Sequence, residues 1–528
     1  MTDLAIVGGR VLDGAGTAPV DASVLIDGDR IEALLAAGSP IPPGAPVLDA
    51  AGMTVAPGFI DVHSHSDLTP FVEPTMDSML RQGVTTLVVG NCGASAFPLA
   101  NAEEMASLVG ADAGELALAW DSFGEYLERV AACRPALNVA ALVGHGTLRQ
   151  AAVAEQRRPP TEQELAEMRR LLGDALDEGA IGLSSGLIYA PGLHASTDEV
   201  ASLAGELAAR GALYTSHIRG EGGSVFEAVR ECIEIGRRAG VPSHVSHLKV
   251  ETRPMWGRGP ELLGMIDAER EAGADVSADQ YPYTAWETEL ASALPPWVTP
   301  EELPEVLDDA EAVARLRAGI EGGEPGWESV GRGIGWDRIV IGSYGPDPSM
   351  TGRSIAAIAE GWGIEPFLAI ARLLLEDRFT GMIGHAMDED DVRAIVSRPD
   401  VFVATDGVAI SPDGPLGRFA VHPRYYGTFP KVLGTYARDQ GLLSLPAAVA
   451  KMTSLPATRF GLAGRGRVEA GAFADLVVFD PAHIDAPATF EHPHAFAEGI
   501  SSVLVNGSVA WDGSMVARSG SPLRRGEG

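Results

Sequence analysis

Short apolar runs alternate with amphipathic helical stretches through most of the middle of this chain. The runs favour β-strands, and a helical pattern between successive runs is typical of parallel βα units. The helical stretches EQELAEMRRLLGDALDEG and SVFEAVRECIEIGRRAG both end at a glycine, as helices often do. Eight such runs predict an α/β fold with a (β/α)8 TIM-like barrel. The runs cover residues 58–65, 85–93, 138–148, 180–189, 212–220, 242–250, 274–283 and 401–407.

The two ends of the chain have a different pattern, in which short β-like runs are separated by tight turns. Asp27-Gly28 near the start and Asn506-Gly507 near the end are typical hairpin turns. Because chain termini often lie close together, we expect residues 1–55 and 461–528 to form one small β-sandwich domain. The barrel is then expected to span residues 56–460.

A long segment from about residue 285 to 400 separates the seventh run from the eighth. It contains PPWVTPEELPEV and the glycine-rich EGGEPGWESVGRGIGW, and it is much longer than one crossover helix requires. Long loops at the active-site end of a barrel are usually functional. We therefore expect an insertion after strand 7 that acts as a lid or small subdomain.

The composition limits the partners that the protein can have. Its 72 acidic and 39 basic residues give a formal net charge of -33, which repels nucleic acid phosphates and anionic lipids. No apolar stretch approaches the roughly 18 residues of a membrane helix, and the N-terminus lacks the pattern of a secretory signal. Three scattered cysteines are too few for a disulfide framework. We expect a cytoplasmic protein that acts on a small molecule and binds neither nucleic acid nor a membrane.

Metal-binding side chains follow the predicted strands at the end where barrel active sites lie. His63 and His65 are two residues apart, so strand alternation places both on one face. Imidazole and thiolate together favour zinc over magnesium or calcium, which prefer oxygen ligands. The candidate metal-binding groups are His63, His65, Cys92, His217, His247 and Asp406.

Each of these groups also has an ordinary structural explanation. A lone cysteine after an apolar run, such as Cys92, is more often a small buried hydrophobic residue. The Thr-Asp-Gly around Asp406 is usually a turn. Their coincidence at the same end of different strands is what predicts a metal site. His145 also ends a strand, and for it a structural role is as consistent with the sequence as one that faces the substrate.

The motifs at the strand ends resemble a known family. PGFIDVHSHSD near the start and TDG late in the chain are similar to the metal-dependent amidohydrolase superfamily. The resemblance is closest to its D-aminoacylase (N-acyl-D-amino-acid deacylase) branch, and it runs over nearly the whole chain. It implies an enzyme whose barrel is joined to a β-sandwich and whose insertion partly covers the active site. The motifs of this branch are GNCG, SHIRGE, HVSHLKV, DQYPYTA, HPRYYGTFPKVLGTYAR, KMTSLPATRFGL and FADLVVFDP.

The resemblance also implies how the metal is held. Many amidohydrolases bridge two metals with a carboxylated lysine at the end of the fourth strand, but AIGLSSGLIY contains no lysine. In the D-aminoacylase branch a cysteine from the second strand takes over this role, and Cys92 matches it. The pattern assigns one tightly bound zinc to Cys92, His217 and His247, and a second, weaker position to His63, His65 and Asp406.

The expected reaction is zinc-dependent hydrolysis of an N-acyl-D-amino acid to a D-amino acid and a carboxylate. Zinc lowers the pKa of bound water, and Asp406 is expected to accept a proton from that water and return it to the departing amine. The carboxylate of the amino acid calls for a cation or hydroxyl groups, and Lys249 is the best candidate cation because it shares a strand face with His247. The resemblance adds three substrate contacts, each equally consistent with a buried ring: Tyr189, Tyr281 and Tyr283.

Two other functions fit parts of this pattern. Cyclic amide hydrolases similar to hydantoinase or dihydroorotase usually carry the fourth-strand lysine, which is absent here. A non-catalytic barrel scaffold typically loses metal ligands or the aspartate, whereas all six candidate groups are present. The preference for D substrates rests on the family resemblance alone. The side chain, the acyl group and the number of subunits are not indicated by the sequence.

Overall fold

Strand pairing divides the molecule into a terminal sheet, a series of parallel strands and a small inserted sheet. The computed structural model describes residues 2–109, 111, 113–418 and 421–527. The strands, in chain order, are β1 (Leu4–Val11), β2 (Val20–Asp27), β3 (Arg30–Ala36), β4 (Val47–Asp49), β5 (Thr54–Pro57), β6 (Phe59–Asp61), β7 (Val84–Val89), β8 (Asn138–Ala141), β9 (Val143–Gly144), β10 (Gly182–Gly186), β11 (Leu213–His217), β12 (Ser243–Val245), β13 (Val276–Gln280), β14 (Trp286–Glu289), β15 (Ile339–Ser343), β16 (Gly381–Gly384), β17 (Val401–Val403), β18 (Leu476–Phe479), β19 (Ile500–Val505), β20 (Ser508–Trp511) and β21 (Pro522–Leu523).

Helices connect most of the parallel strands. A π-helical stretch, Val432–Asp439, continues directly from one of them. The α-helices, in chain order, are α1 (Thr69–Val72), α2 (Asp77–Leu80), α3 (Ala102–Leu108), α4 (Ala113–Leu116), α5 (Phe123–Cys133), α6 (His145–Ala152), α7 (Glu162–Asp177), α8 (Thr197–Ala208), α9 (Val225–Ala239), α10 (Gly259–Glu271), α11 (Leu303–Asp308), α12 (Ala310–Gly322), α13 (Val330–Ile334), α14 (Ile355–Trp362), α15 (Pro366–Glu376), α16 (Glu389–Val396), α17 (Arg424–Lys431), α18 (Leu445–Ala450) and α19 (Ser454–Arg459).

Strands from both ends of the chain form one eight-stranded sheet. Its order is β20-β19-β18-β5-β1-β2-β3, with β4 paired to β1. The C-terminal segment joins the N-terminal one where β18 pairs antiparallel with β5, with Leu476 opposite Pro57. The predicted turn at Asn506-Gly507 connects β19 to β20, and both residues have positive φ, 48° and 77°, as a type I′ hairpin turn requires.

Each of the eight predicted apolar runs contains a strand, and these strands pair in parallel. β6, β7 and β8 form one group, and the order β9-β10-β11-β12-β13-β17 forms the other. β21 also pairs with β8, so the end of the chain joins the parallel strands and not the terminal sheet, where it was expected. Only Leu142 separates β8 from β9 along the chain. A parallel bridge between Ser64 and Gly407 joins the segment after β6 to the segment after β17. The residues that follow the first and last strands are thereby brought side by side.

Alternate side chains of these strands belong to two apolar clusters. Phe59 and Leu87 pack in the large cluster that includes the helices. Their neighbours Ile60 and Val88 pack instead in a second cluster, to which β8, β11 and β17 also contribute. Burying a side chain of this size contributes about 1.5–3 kcal/mol. The second cluster includes Ile60, Val62, Val88, Ala140, Leu142, Ile181, Leu213, Phe402 and Ala404.

Both helical stretches singled out in the sequence are helices, and their ends are set by local signals. Thr161 and Glu164 form a capping box at the start of α7, which satisfies two backbone N–H groups that a helix leaves free. α9 ends at Gly240, which has a φ of 68°. A residue without Cβ adopts this left-handed conformation at little cost.

The segment between β13 and β17 has its own three-stranded antiparallel sheet, in the order β14-β16-β15. Glu328 of the same segment contacts the loop between β11 and α9. Backbone N–H groups of Gly223 and Ser224 donate to the Glu328 carboxylate at 2.9 Å and 2.8 Å. These residues immediately precede α9, so the insertion supplies an anion to the positive end of that helix.

Among the described residues, no helix combines the length and the apolar character needed to cross a membrane.

Candidate metal centre

The six predicted metal-binding residues converge at the carboxyl ends of the parallel strands. His217 is the last residue of β11, and the other five follow the ends of β6, β7, β12 and β17. Cys92 Sγ lies 3.2 Å from His63 Nε2, 3.6 Å from His217 Nδ1 and 3.5 Å from His247 Nε2. One thiol therefore faces three imidazole nitrogens that come from three different strands.

The backbone turns three of these side chains into the site. Cys92, His247 and Asp406 have φ angles of 52°, 35° and 48°, in the left-handed region that non-glycine residues seldom adopt. Each such residue costs on the order of 1–3 kcal/mol, and such residues cluster at functional sites. Hydrogen bonds hold two of these positions. His247 N donates to Asp279 Oδ1 at 2.8 Å, and Asp406 N donates to the His63 carbonyl at 2.8 Å.

Glycines surround Cys92 because the strand ends approach one another closely there. A Cβ placed on Gly186 of β10 would lie 2.1 Å from the Cys92 carbonyl oxygen, and one on Gly93 would lie 2.6 Å from the Gly186 nitrogen. Both distances are far shorter than a van der Waals contact. The absence of side chains at these two positions allows β7 and β10 to bring Cys92 to the mouth of the site.

The donor set fits a zinc ion. With a zinc–sulfur distance of about 2.3 Å and a zinc–nitrogen distance of about 2.0 Å, tetrahedral coordination separates a sulfur from a nitrogen ligand by about 3.5 Å. The three sulfur–nitrogen distances at Cys92 lie between 3.2 Å and 3.6 Å. Burial raises the pKa of the Cys92 thiol, but the charge of His63 and the hydrogen bonds with the other histidines outweigh it, and the pKa lies well below its usual range. Thiolate is the form that binds metals.

Asp406 contacts the two histidines that follow β6. Its Oδ1 is 3.4 Å from His63 Nε2 and 3.2 Å from His65 Nε2. The site thus has a second group of donors beside the first, made of His63, His65 and Asp406. Burial raises the pKa of the Asp406 carboxyl, but the guanidinium of Arg424 and the neighbouring histidines outweigh it, and that pKa lies well below its usual range. The group is therefore a carboxylate that can accept a proton.

Arg424 is a site residue that the sequence analysis missed. It is the first residue of α17 and is 2% exposed, and its Nη1 is 3.0 Å from Asp406 Oδ2. Its Nε forms no hydrogen bond with any residue that the structure describes. A signal was present in the sequence, because Arg424 belongs to the HPRYYGTFPKVLGTYAR motif, but the motif alone does not indicate which side chain enters the site.

Lys249 lies at the site but is already paired. Its Nζ donates to Glu221 Oε1 at 2.6 Å and lies 2.8 Å from His247 Nδ1. Glu221 was also missed by the sequence analysis, although it ends the SHIRGE motif. Asp279 is a third missed residue: it accepts hydrogen bonds from His247 N and from His244 Nε2, and its Oδ2 is 3.6 Å from His63 Nδ1.

The three predicted tyrosines are placed differently. The Tyr189 ring lies edge-on to His217, with 4.7 Å between ring centroids. Tyr281 is buried, and its ring centroid is 4.8 Å from the Arg424 guanidinium and 5.6 Å from Lys249 Nζ. Tyr283 instead donates to the Pro423 carbonyl at 3.3 Å. Tyr189 and Tyr281 therefore border the metal-binding groups, whereas Tyr283 supports the start of α17.

His145 belongs to a separate buried cluster. Its Nε2 is 2.9 Å from Glu199 Oε1, and both Glu199 oxygens accept from Arg149 Nη1 at 2.6 Å and 2.7 Å. All three side chains are nearly inaccessible to solvent.

The chain is similar over most of its length to proteins of one known family. Residues 46–310 and 356–510 match the amidohydrolase family. A D-aminoacylase of Alcaligenes xylosoxydans xylosoxydans is 39% identical over 510 residues, which are 96% of this chain and 94% of that protein. The N-acyl-D-glutamate deacylase of the same organism is 40% identical over 531 residues, which are 99% of this chain and 96% of that protein.

A solved structure also resembles this fold over its whole length. It is the N-acyl-D-glutamate deacylase from Bordetella bronchiseptica, in complex with zinc and a phosphonate inhibitor that mimics the tetrahedral intermediate of the reaction. The TM-score is 0.82 at 37% identity, and the match covers 99% of each chain. The α/β fold of the present chain is thus that of a structure that binds zinc.

Proposed function

This chain belongs to the amidohydrolase family, and from that premise we propose that it hydrolyses N-acyl-D-amino acids with the help of zinc. The products are a D-amino acid and a carboxylate. The observation that carries this function is the convergence of Cys92, three histidines and Asp406 at one site. Relatives of known activity match the chain from end to end.

We propose that residues 56–460 form the (β/α)8 barrel, with an insertion at about residues 285–400. The parallel pairing within the two groups of strands, the single residue between β8 and β9, and the bridge between Ser64 and Gly407 support this arrangement. β6, β7, β8, β11 and β17 also contribute to one apolar cluster. Residues 1–55 and 461–528 are assigned to a β-sandwich domain, which is supported by the sheet that contains strands from both segments. β21 is the exception in this assignment, because it pairs with β8.

Two groups of donors are assigned to metal. Cys92, His217 and His247 hold the tightly bound zinc, and His63, His65 and Asp406 border a second, weaker position. Cys92 belongs to the first group and also lies beside the second, because its Sγ is 3.2 Å from His63 Nε2. When bound, zinc supplies a Lewis acid for the amide carbonyl and makes bound water more acidic.

Asp406 moves the proton. Its carboxylate accepts a proton from the attacking water and delivers it to the amine that leaves when the amide bond breaks. His65 lies at Oδ1 and Arg424 at Oδ2, so both oxygens of the carboxylate are fixed in orientation. The low pKa of Asp406 keeps it in the form that can accept the proton.

Arg424 is assigned to the carboxylate of the amino acid. Its buried Nε has no hydrogen-bond partner in the described part of the chain, while its Nη1 is paired with Asp406 Oδ2 at 3.0 Å. A planar guanidinium suits a carboxylate and can serve a second one beside Asp406. Lys249 contributes positive charge nearby, although Glu221 already balances it. Tyr281 and Tyr189 border the same space, and Tyr283 supports the start of α17 through its hydrogen bond to the Pro423 carbonyl.

All three cysteines are free thiols, which supports the expected cytoplasmic location.

A substrate panel tests this function. Release of free amine is measured for N-acetyl-D- and N-acetyl-L-amino acids with apolar, acidic and basic side chains, and zinc content is measured on the same sample. Turnover of D substrates by zinc-loaded protein is expected, and the panel reveals the preferred side chain. If the protein binds zinc but leaves every linear N-acyl amino acid intact, the deacylase function is wrong and cyclic amides become the next substrates.

A further inference from the structure

Glu221 lies on the far side of the same two histidines that face Cys92. His247 presents Nε2 to Cys92 Sγ at 3.5 Å and Nδ1 to Glu221 Oε1 at 3.0 Å. His217 presents Nδ1 to Cys92 Sγ at 3.6 Å and Nε2 to Glu221 Oε2 at 3.6 Å. Each ring therefore has one nitrogen toward the thiol and the other toward the carboxylate.

This arrangement offers two positions for a metal ion. One is on the Cys92 side, and the other is on the Glu221 side, where the ligand atoms of His217, Glu221 and His247 also come within 4.8 Å of one another. The Lys249 ammonium already occupies the Glu221 side, 2.6 Å from Glu221 Oε1 and 2.8 Å from His247 Nδ1. Its positive charge opposes a metal ion there, which directs the metal to the Cys92 side.

A metal on the Cys92 side fixes where the histidine protons must be. A neutral imidazole that binds metal through one nitrogen carries its proton on the other. His247 then carries its proton on Nδ1 and His217 on Nε2. With a proton on Nδ1, His247 cannot accept from Lys249 and donates instead to Glu221 Oε1 at 3.0 Å, while Lys249 donates to the same oxygen at 2.6 Å. Both protonated nitrogens face Glu221, and His217 Nε2 is buried with no hydrogen-bond partner among the residues described.

We propose that Glu221 is a positioning residue that fixes the tautomer and ring orientation of both His217 and His247, and that Lys249 balances its charge. The proposal rests on the metal-dependent function given above. Partners of this kind change metal affinity by about 10- to 100-fold when they are replaced. Glu221 is suited to serve two rings because its two oxygens point to different histidines.

The test measures zinc affinity in the full-length protein without substrate. ZnCl2 is titrated into metal-free protein in competition with a chromophoric chelator. Glu221→Gln keeps the size of the side chain, and the backbone contact from Glu251 N to the Glu221 carbonyl is unaffected. The dissociation constant for zinc is expected to rise by about 10- to 100-fold. Unchanged affinity would overturn the proposal.

Glu251→Gln is the matched control. Glu251 lines the same cleft as Glu221, but it accepts its hydrogen bond from the Trp286 indole at 2.7 Å and not from a histidine. This variant is expected to bind zinc as tightly as the unmodified protein. An equal loss in both variants would show that any carboxylate in the cleft has this effect, which contradicts a specific role for Glu221.

A double variant separates positioning from charge balance. Glu221→Gln leaves Lys249 as a buried charge without its partner, whereas Glu221→Gln with Lys249→Met removes both charges. Weakened zinc binding is expected in the double variant too, because the histidines still lack their acceptor. Recovery of the original affinity would mean that Glu221 serves only to neutralise Lys249.

Cobalt gives a second readout. Co²⁺ in place of zinc should keep the sulfur-to-metal charge-transfer band in Glu221→Gln, because Cys92 is untouched, while the d–d bands change as the rings lose their orientation. Identical d–d bands would contradict the positioning role. Because none of these measurements uses a substrate, a failure of the deacylase function would appear separately, as an absence of turnover with normal metal binding.

Discussion

Arg424 Nη1 lies 3.0 Å from Asp406 Oδ2, and both side chains are buried. The other oxygen of the same carboxylate, Oδ1, is 3.2 Å from His65 Nε2. The carboxylate is therefore held from two sides by groups from different parts of the chain. This contact connects the residue assigned to proton transfer with the residue assigned to substrate binding, and the two assignments need separate tests.

Replacement of Asp406 by Asn tests proton transfer. Loss of a general base typically lowers turnover by about 10²- to 10⁴-fold, and zinc is expected to remain because Cys92, His217 and His247 are unchanged. The measurement is kcat together with zinc content. Asp413→Asn, at an exposed position on the loop that follows, is the matched control and should keep full activity. Near-native turnover of Asp406→Asn would remove this carboxylate from the reaction.

Replacement of Arg424 by Gln tests recognition of the substrate carboxylate. A hydrogen bond to a charged group is worth about 1.5–3 kcal/mol, so kcat/KM is expected to fall by about 10- to 100-fold. N-acetyl-D-amino acid methyl esters lack the charge that Arg424 binds, and with them the difference between the two proteins should shrink. An equal loss for acids and esters would instead indicate that Arg424 acts only through Asp406.

Replacement of Cys92 by Ala tests the tight metal site. The variant loses the one thiolate that faces three imidazoles, so it should retain less than one zinc per chain after dialysis against a weak chelator. Cys133→Ser alters another free thiol, on α5 and away from the site, and should retain zinc fully. A Cys92→Ala protein with one tightly bound zinc would exclude the thiol from that site.

The cluster of Glu199 with His145 and Arg149 predicts a dependence of stability on pH. Burial raises the pKa of Glu199, but the bonds from His145 and Arg149 outweigh it, and the pKa lies below the ordinary 4.5. A carboxyl with a lowered folded-state pKa stabilises the fold above its unfolded-state pKa, and that contribution is lost as the pH falls through the folded-state value. Below about pH 4.5, stability should therefore decrease.

Glu199→Gln should be destabilised by about 3–5 kcal/mol at pH 7, because it leaves Arg149 buried without its partner. Its loss of stability on acidification should also be smaller than in the unmodified protein. The measurement is the urea midpoint at pH 7 and at several lower pH values. Glu167→Gln, which breaks an exposed pair with Arg170, is the control and should change the midpoint little. Parallel acid curves for Glu199→Gln and the unmodified protein would contradict this account.

The parallel strands and the metal-binding groups could be predicted because both depend on local patterns. An apolar run bounded by turn residues is enough to locate β7, and Cys92 is the first potential metal ligand after that strand. All six predicted groups come together because parallel strands end at one edge. The hairpin at Asn506-Gly507 could be predicted for the same reason, since two adjacent residues determine it.

The surroundings of the site could not be predicted in the same way. Arg424, Glu221 and Asp279 gain their roles from partners on other segments, and no periodicity of their own sequence reveals those partners. The inserted sheet is similar, because β14 pairs with β16 and not with the next strand along the chain. Such pairings depend on the packing of the whole segment.

The left-handed backbone at Cys92, His247 and Asp406 limits how this site can be redesigned or can diverge. Asparagine, aspartate and histidine adopt that conformation more readily than other non-glycine residues, so positions 247 and 406 already hold tolerant residue types. Cysteine is not among them. Exchange of Cys92 for aspartate or histidine would relieve backbone strain and supply a harder metal ligand. A β-branched residue such as threonine would instead increase the backbone strain at this position, whatever ligand it supplied. The backbone conformation at position 92 thus limits which residues can replace Cys92, and with them the metal preference of the site.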